Sequence, residues 1–430
     1  MEIFARDYKS EPFWWEKTSR PVIEAKEIPQ VVDVAIVGSG YTGLCAAIVL
    51  ARAGREVTIF DSENAGWGCS SRNGGQVSTS IKPSYKALRT KFGKTDAFNI
   101  IKEGQASLQW LKEFILNEQI ECSFNVPGRF YAAHNKKEFE NLEKEISEQP
   151  PGLEVQSTLV PPAEQRRELG TDIYHGGIIF DSHASLDPAL FHQGLLDRAL
   201  DAGVSIVPYC KVLELSGTSP DFRVLTERGE LQAQEVIVAT NGYTGRLTPW
   251  LARRVIPIGS YMIATEPIEK SLMDRLMPSN RVISDTRKVV YYYRPAPDRS
   301  RIIFGGRVTT GEVDVRQSGS LLRSDLIGIF PELLNIKITH SWMGFVAYTF
   351  DELPHIGNHK GIYYAMGCCG SGVGMASYLG TRVGQQLLGI AEGKTALDKI
   401  SFKTRPLYTG SPWFLPVAVA YYRWRDGTGK

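Results

Sequence analysis

VVDVAIVGSGYTGLCAAIVLARAGREVTIFD, Val31 to Asp61, is the stretch whose reading decides the fold. Val31 to Val37 is a short β-branched run, the composition of a strand buried inside a parallel sheet. The turn Gly38-Ser39-Gly40-Tyr41-Thr42-Gly43 follows. Leu44, Ala47, Ile48 and Ala51 then recur at helical spacing as far as Gly54, a candidate C-cap. A second strand, Glu56 to Phe60, ends in Asp61, twenty-three positions after Gly38. In this register the pieces make a β-α-β dinucleotide fingerprint, and each has a physical task. Gly38 allows the tight turn, Gly40 clears the approach of a pyrophosphate, and Gly43 lets the helix pack close to the strand. The helix N-terminus presents free N–H groups and a partial positive charge to the phosphates. Asp61 accepts hydrogen bonds from both ribose hydroxyls and repels a 2′-phosphate. Ser39, Tyr41, Thr42 and Ser62 complete the expected contacts at this end. A structural glycine turn would not need the strand, helix, second strand and acid together, but the motif alone does not separate FAD from NAD.

Two further segments favour FAD. Directly after Asp61 the chain reads Gly66-Trp67-Gly68-Cys69-Ser70-Ser71-Arg72-Asn73-Gly74-Gly75-Gln76. A nicotinamide needs no second loop rich in glycine, serine and arginine so soon after the ribose acid. A longer cofactor does, because its pyrophosphate, ribityl chain and ring must all be enclosed. Far downstream, a strand from Gly361 to Ala365 runs into Gly367-Cys368-Cys369-Gly370-Ser371-Gly372-Val373-Gly374, ahead of a helix with small residues at Ala376, Ser377, Gly380 and Gly384. This second strand-to-helix turn can aim its N–H groups at the negative charge that develops at N1 and the C2 oxygen of a reduced flavin.

Composition narrows the function classes. The chain has 430 residues, with 49 lysines and arginines against 47 acids, a formal charge of +2. That balance gives no electrostatic reason to expect nucleic acid as a partner. Six cysteines (Cys45, Cys69, Cys122, Cys210, Cys368, Cys369) show neither a zinc spacing nor a disulfide framework, and the seven histidines have no metal-ligand spacing. No metal is expected, and the adjacent Cys368 and Cys369 read as small turn residues. Met1 to Arg20 lacks the form of a signal peptide, and no window has the length and apolarity of a membrane span. The expectation is a cytoplasmic protein without a transmembrane segment. Phe13, Trp14 and Trp15 are expected to pack on the domain, a lid or membrane contact being the alternative, and the aromatic Trp413 to Trp424 stretch to do the same, with membrane or subunit contact as its alternative.

The GSGYTG turn, the GWGCSSRNGG loop, Ala239-Thr240-Asn241-Gly242 after a strand, and Trp342 to Gly357 ahead of the GSGVG turn resemble the FAD-dependent D-amino-acid oxidase superfamily, which includes the glycine and sarcosine oxidases. Within it the chain is most similar to the γ-glutamylputrescine oxidoreductase branch, which shares the YTG turn, the GRNGGQ-type loop and a C-terminal Ala-Tyr-Tyr-x-x-Arg-Asp, here Ala420 to Asp426. The resemblance implies FAD, with Gly68, Cys69, Ser70, Arg72, Asn73, Gly74, Gly75 and Gln76 lining it. It also puts Lys211 and Val212 on the adenine, where a plain strand is the alternative, and Ala239, Thr240 and Gly242 over the adenosine. Gly370, Ser371, Gly372, Val373 and Gly374 would face the flavin carbonyl. An amine would lie over the ring and pass a hydride to flavin N5, giving an imine that hydrolyses to an aldehyde, with oxygen or another acceptor reoxidising the flavin. The arginine that clamps a substrate carboxylate in the glycine and D-amino-acid oxidases falls about at Val346, as does the flavin-linked cysteine of monomeric sarcosine oxidase. The FAD-tethering histidine of sarcosine dehydrogenases falls near Arg72. None of these is present, so non-covalent FAD is expected, together with an amine of the γ-glutamyl-polyamine class. A glycine- or sarcosine-type oxidase producing peroxide, with another arginine on the carboxylate, is the alternative; a non-catalytic flavin-binding subunit is a third.

The remainder organises around this frame. Pro83 to Asn117 and Asn135 to Glu148 read as amphipathic helices, Gly128 to Ala133 as a strand, and Asp187-Pro188 as the start of a helix running to Ala202. IPIGSYMIATEP, KVVYYYRP and RIIFGGRV, between Arg254 and Arg307, predict an antiparallel sheet. The fold class is α/β (α+β overall), a Rossmann-like FAD domain (1–85, 170–248, 340–430) interleaved with a sheet-bearing substrate domain (86–169, 249–339). The candidate substrate residues are Tyr261, Tyr293, Arg307 and Tyr348. In the YYYR run Tyr291 and Tyr293 share one face, and Tyr292 and Arg294 the other. Either face could meet the substrate; sheet packing is the alternative for each.

Overall fold

The computed structural model describes residues 2–18, 20–24, 27–306 and 312–428. It holds two large sheets. One has the strands Val31–Val37, Val57–Phe60 and Ser205–Val207 in parallel on one side of the long strand Gly229–Val238, with Ile362–Met366 parallel on the other. An antiparallel meander, Val212–Thr218 and Asp221–Thr226, continues from the first half of that long strand. Val34, Ala35 and Ile36 are fully buried, as a both-faces-covered parallel strand requires.

Two helices lie against this sheet and against each other. Tyr41–Arg52 follows the first glycine turn, and Gly372–Leu387 follows the last. The small residues of the second helix let the two backbones approach. A Cβ on Gly380 would stand 2.5 Å from the Thr42 carbonyl oxygen, and one on Gly384 would stand 3.0 Å from that of Ala46. Thr42 Oγ1 also donates to the Ala376 carbonyl at 3.1 Å.

The second sheet has nine strands, ordered Phe4–Lys9, Ile338–Thr349, Val255–Thr265, Ile302–Gly306, Tyr292–Pro295, Val282–Asp285, Arg129–Ala132, Gly177–Phe180 and Ser157–Val160. Its pairs are antiparallel except at two places, Phe4–Lys9 with Ile338–Thr349 and Arg129–Ala132 with Val282–Asp285. The sheet is therefore mixed, larger than the three runs between Arg254 and Arg307 suggested. Strand pairing also sorts the chain differently from the expected boundaries. Phe4–Lys9, Gly177–Phe180 and Ile338–Thr349 lie within or across the ranges assigned to the FAD domain, yet all three hydrogen-bond into the nine-stranded sheet. Their local sequence looks like any strand, and only long-range pairing shows where each belongs.

Local signals otherwise land close to the elements. Asp187 Oδ1 accepts from the Ala189 and Leu190 amides at 2.9 and 3.1 Å and caps the helix Pro188–Asp201. The Asn135 side chain caps Lys136–Ser147. The long helix expected from Pro83 to Asn117 is instead two, Tyr85–Phe92 and Lys94–Asn117, because Gly93 adopts φ +84 between them. All six cysteines are free. Among the described residues no helix is long and apolar enough to cross a membrane, and no cluster of metal-binding side chains occurs.

Candidate active site

One end of the site is built by the first glycine turn and Asp61. A Cβ on Gly43 would lie 2.0 Å from the Gly38 carbonyl oxygen, so only glycine lets the helix start this close to the strand. Asp61 Oδ2 accepts from the Ser39 amide at 2.8 Å and from Ser39 Oγ at 2.6 Å, and its Oδ1 accepts from the Glu63 amide at 3.0 Å. Burial raises the Asp61 pKa, and these hydrogen bonds oppose it without cancelling it. Ser70 Oγ accepts from the Tyr41 amide at 3.0 Å, bringing the second glycine loop against the N-terminus of the first helix. Tyr41 itself is buried beside Phe191 and donates to the Pro188 carbonyl, so its ring serves the core. Ala239 closes over Gly38, its carbonyl oxygen 3.0 Å from where a Cβ would sit. Val212 is buried at the start of its strand, and the Lys211 carbonyl accepts from the Glu227 amide. Ser62 is exposed beside Asp61.

The second loop is clamped by three tryptophans. Trp14 Nε1 donates to the Asn73 carbonyl at 2.8 Å, Trp342 Nε1 to the Arg72 carbonyl at 2.7 Å, and Trp15 Nε1 to Ser71 Oγ at 2.9 Å. Inside it, Asn73 donates to the Cys69 and Ser70 carbonyls and accepts from the Gly75 amide at 2.8 Å. Arg72 lies over Trp15 and Trp67, 4.7 and 4.1 Å from the ring centroids, where it braces the loop. Gln76 Nε2 donates to the Ile283 and Tyr293 carbonyls, tying the loop to the large sheet. Gly68 meets the Tyr243 ring and Gly74 the Tyr292 ring, at 3.2 and 3.1 Å from where a Cβ would stand. Cys69 Sγ lies 3.4 Å from the same point on Gly344; burial pushes its thiol up to about 11.

One face of the nine-stranded sheet looks onto this loop. Strand alternation places Trp342, Gly344, Val346 and Tyr348 on it, opposite Met262, Ser260, Ile258 and Ile256 of the neighbouring strand. Tyr292 joins them: its hydroxyl is 2.7 Å from Ser260 Oγ, and its ring lies against Gly74 and Gly305. Arg294 is on the same face of its strand, but it is buried, and its guanidinium donates to the Gly75, Leu186 and Pro295 carbonyls.

Tyr261 and Tyr293 are carried to the opposite face. Tyr261 donates to Glu312 Oε2 at 2.6 Å and accepts from the Val313 amide at 2.9 Å. Tyr293 contacts the Tyr174 hydroxyl at 3.3 Å. Both pack with Phe304, Leu322, Leu326 and Phe330 under the helix Val315–Ile329. Arg307 lies outside the described residues. The structure brings together Tyr348, the second loop and the last glycine turn. A Cβ on Gly370 would be 3.6 Å from the Tyr348 hydroxyl and 3.9 Å from both Val346 Cγ1 and Lys82 Nζ. Ser371 accepts from Ser80 Oγ through its carbonyl, and Gly372, Val373 and Gly374 form the first turn of the following helix.

Lys82 and Ser260 were not singled out from the sequence. Lys82 Nζ donates to the Tyr348 hydroxyl at 3.3 Å and stands 5.3 Å from its ring centroid. Its side chain is exposed, yet protein surrounds the ammonium closely enough that desolvation is the largest influence on its pKa, downward. Tyr348 and Cys369 outweigh it, the net direction is upward, and the group is cationic at neutral pH. Only a lysine just before Pro83 marked it in the sequence.

These elements fit a dinucleotide cofactor with a ring: an N–H-bearing turn and a ribose acid at one end, two glycine segments and an aromatic sheet face at the other. Comparison with known proteins agrees. Residues 33–386 match the model of the DAO family, described as FAD dependent oxidoreductase. The chain belongs to this family. Among its relatives is the γ-glutamylputrescine oxidoreductase of Escherichia coli (strain K12), 31% identical over 400 residues that cover 92% of this chain and 93% of that protein. The glycine oxidase of Geobacillus kaustophilus is 22% identical over 86% of this chain and 96% of its own. Two solved structures share the DAO fold. Glycine oxidase from Geobacillus kaustophilus superposes with a TM-score of 0.73 at 19% identity, covering 88% of this chain and 99% of that one. L-proline dehydrogenase from P. horikoshii does so at 0.69 and 19%, covering 91% and 99%. As a DAO-family member the chain is an FAD-dependent oxidoreductase, of a family that acts on amines and amino acids.

Proposed function

We propose that the protein oxidises the C–N bond of an extended amine of the γ-glutamylputrescine kind, with FAD held non-covalently. The observation that carries this reading is the likeness to γ-glutamylputrescine oxidoreductase along nearly the whole of both chains. Val346 supports it, since an aliphatic side chain can neither clamp the α-carboxylate of a small amino acid nor bond covalently to the flavin. When bound, the flavin supplies the acceptor for the hydride that leaves the substrate α-carbon.

The chain's own residues prepare the amine. Ile258, Val346, Tyr292 and Tyr348 make a face of mostly apolar and aromatic surface, which disfavours an ammonium and leaves the nitrogen its lone pair. The Lys82 cation acts in the same direction. The lone pair becomes the second bond of the imine as the hydride departs; water then releases an aldehyde and the freed ammonia or amine. The N–H groups of the Gly370–Gly374 turn, at the start of the helix Gly372–Leu387, would face the negative charge that develops on a reduced flavin. Asp61 and the Gly38–Gly43 turn would hold the adenosine and pyrophosphate. Oxygen or a second acceptor completes the cycle. Six free thiols suit a reducing compartment such as the cytoplasm.

The test is the visible spectrum of the holoenzyme under anaerobic conditions, before and after adding γ-glutamylputrescine. Bleaching of the flavin band is expected, and flavin should be released by denaturation alone. The sequence likeness to a glycine oxidase over most of both chains supports a second reading, an amino-acid oxidase. A flavin that stays oxidised with the polyamine conjugate but is reduced by glycine or sarcosine, with peroxide formed in air, would replace the first reading by the second.

A further inference from the structure

We propose that Lys82 is the residue that recognises a carboxylate on the amine substrate. The inference rests on the amine-oxidising reading above and names the anionic group that the site takes. Lys82 Nζ and Val346 Cγ1 approach the same point, each 3.9 Å from where a Cβ of Gly370 would be. A positive charge therefore stands on the Gly370 side of the site, within twice that distance of Val346, and it arrives from the segment before the helix Tyr85–Phe92 rather than from the sheet strand.

Among the described residues the ammonium has no anionic partner. Its hydrogen bond among the described residues runs to the Tyr348 hydroxyl, and no carboxylate of those residues lies within ion-pair distance of it. Among the described residues, two arginines of this sheet face and of the second loop are already engaged. Arg294 is spent on three backbone carbonyls, and Arg72 is enclosed by Trp15 and Trp67. The Tyr348 ring and hydroxyl hold the lysine tip over the glycine turn, while the four-carbon stem lets it follow substrates of different length. A point charge of this kind binds one carboxylate oxygen strongly without demanding the bidentate geometry of an arginine. The class implied is an amine that also carries a carboxylate, as a γ-glutamyl amide does.

The experiment uses holoenzyme and a non-reactive γ-glutamyl n-alkylamide, with the visible flavin spectrum reporting its binding. The same alkylamide without the carboxylate is the control. Lys82→Met and Lys82→Gln should each weaken binding of the carboxylated probe by about ten- to a hundredfold, the range of a charge-assisted hydrogen bond, and bring it near the control. Lys82→Arg should restore most of the loss. In turnover, the preference for γ-glutamylputrescine over N-acetylputrescine should collapse mainly through KM. Equal binding of the carboxylated probe by wild type and both neutral variants would overturn the proposal, as would equal loss of both probes. Were the wild type reduced only by small amino acids, the amine reading would fail separately. Lys82 would then be judged by the KM of those substrates, a tenfold rise upholding it and no change sinking it.

Discussion

Replacing Gly75 by alanine tests the second glycine loop as the proposed support of the cofactor. Gly75 has φ +65, and an added Cβ would stand 2.1 Å from the Leu186 carbonyl oxygen, where about 3.0 Å is the least a real contact tolerates. Left-handed backbone costs alanine about 1 kcal/mol. The clash must then be relieved by a shift of about 1 Å, a figure set by the contact limits of close packing. That shift stretches the hydrogen bonds from the Leu186 amide to the Gly75 carbonyl and from the Gly75 amide to Asn73 Oδ1, 2.9 and 2.8 Å long. Losing the two adds about 2 kcal/mol, for a total of about 3 kcal/mol, or about a hundredfold in affinity if the loop forms only with FAD in place. Gly74→Ala is the internal control, because its backbone is not left-handed and its nearest neighbour is the Tyr292 ring at 3.1 Å. Flavin fluorescence quenching on titrating apoprotein with FAD should show about a hundredfold weaker binding for Gly75→Ala and less than tenfold for Gly74→Ala. A Gly75→Ala protein that binds FAD within threefold of wild type, or a larger loss at Gly74, would refute the reasoning.

Three other outcomes follow from the same geometry. Asp61→Asn puts an amide where Ser39 and Glu63 both donate, leaving one donor facing another, and should cost about 1–3 kcal/mol of FAD binding, read in the same titration. Trp342→Phe removes the donor to the Arg72 carbonyl from a fully buried site and should lower stability by about 2 kcal/mol, seen as an earlier urea midpoint with FAD lost in the same transition. His183 is buried with both ring nitrogens unpartnered, and burial, then Arg129 and Lys112, pull its pKa down to about 2. The native protein keeps it neutral while the unfolded chain takes up a proton below about pH 6.5, so stability falls as pH drops below that value. At pH 5 the loss from this residue is about 2 kcal/mol. Urea midpoints at pH 7 and pH 5 should draw closer together in His183→Gln; an unchanged difference would count against the assignment.

The cofactor half was legible because its chemistry is local. Strand, turn, helix and acid follow one another within Val31 to Asp61, and the last glycine turn with its helix lies within Gly361 to Gly384. Each is set by short-range rules that need no knowledge of the rest of the chain. The clamp on the second loop was half legible. Trp14 and Trp15 read as packing residues, but that their indole N–H groups hold Asn73 and Ser71 depends on a strand, Phe4–Lys9, pairing with another more than three hundred residues away.

The substrate side was least legible, and the YYYR run shows why. Alternation says that Tyr292 and Tyr293 face opposite ways, but which of them meets the cofactor is fixed by what lies on each side of the sheet. Register supplies the answer: Tyr293 pairs with Phe304, and both sink beneath the helix Val315–Ile329. Tyr292 pairs with Gly305, whose missing side chain gives its ring room beside Gly74. The same logic sends Tyr261 inward and leaves Ser260 on the site. A period of two is visible in any strand, whereas its phase belongs to the fold. Lys82 escaped for a related reason, since its partners Tyr348 and Gly370 come from segments more than two hundred and sixty positions downstream. In this chain the groups proposed to hold the cofactor are written in contiguous motifs, and those proposed to choose its substrate are assembled from strands and loops that meet only once the large sheet has formed.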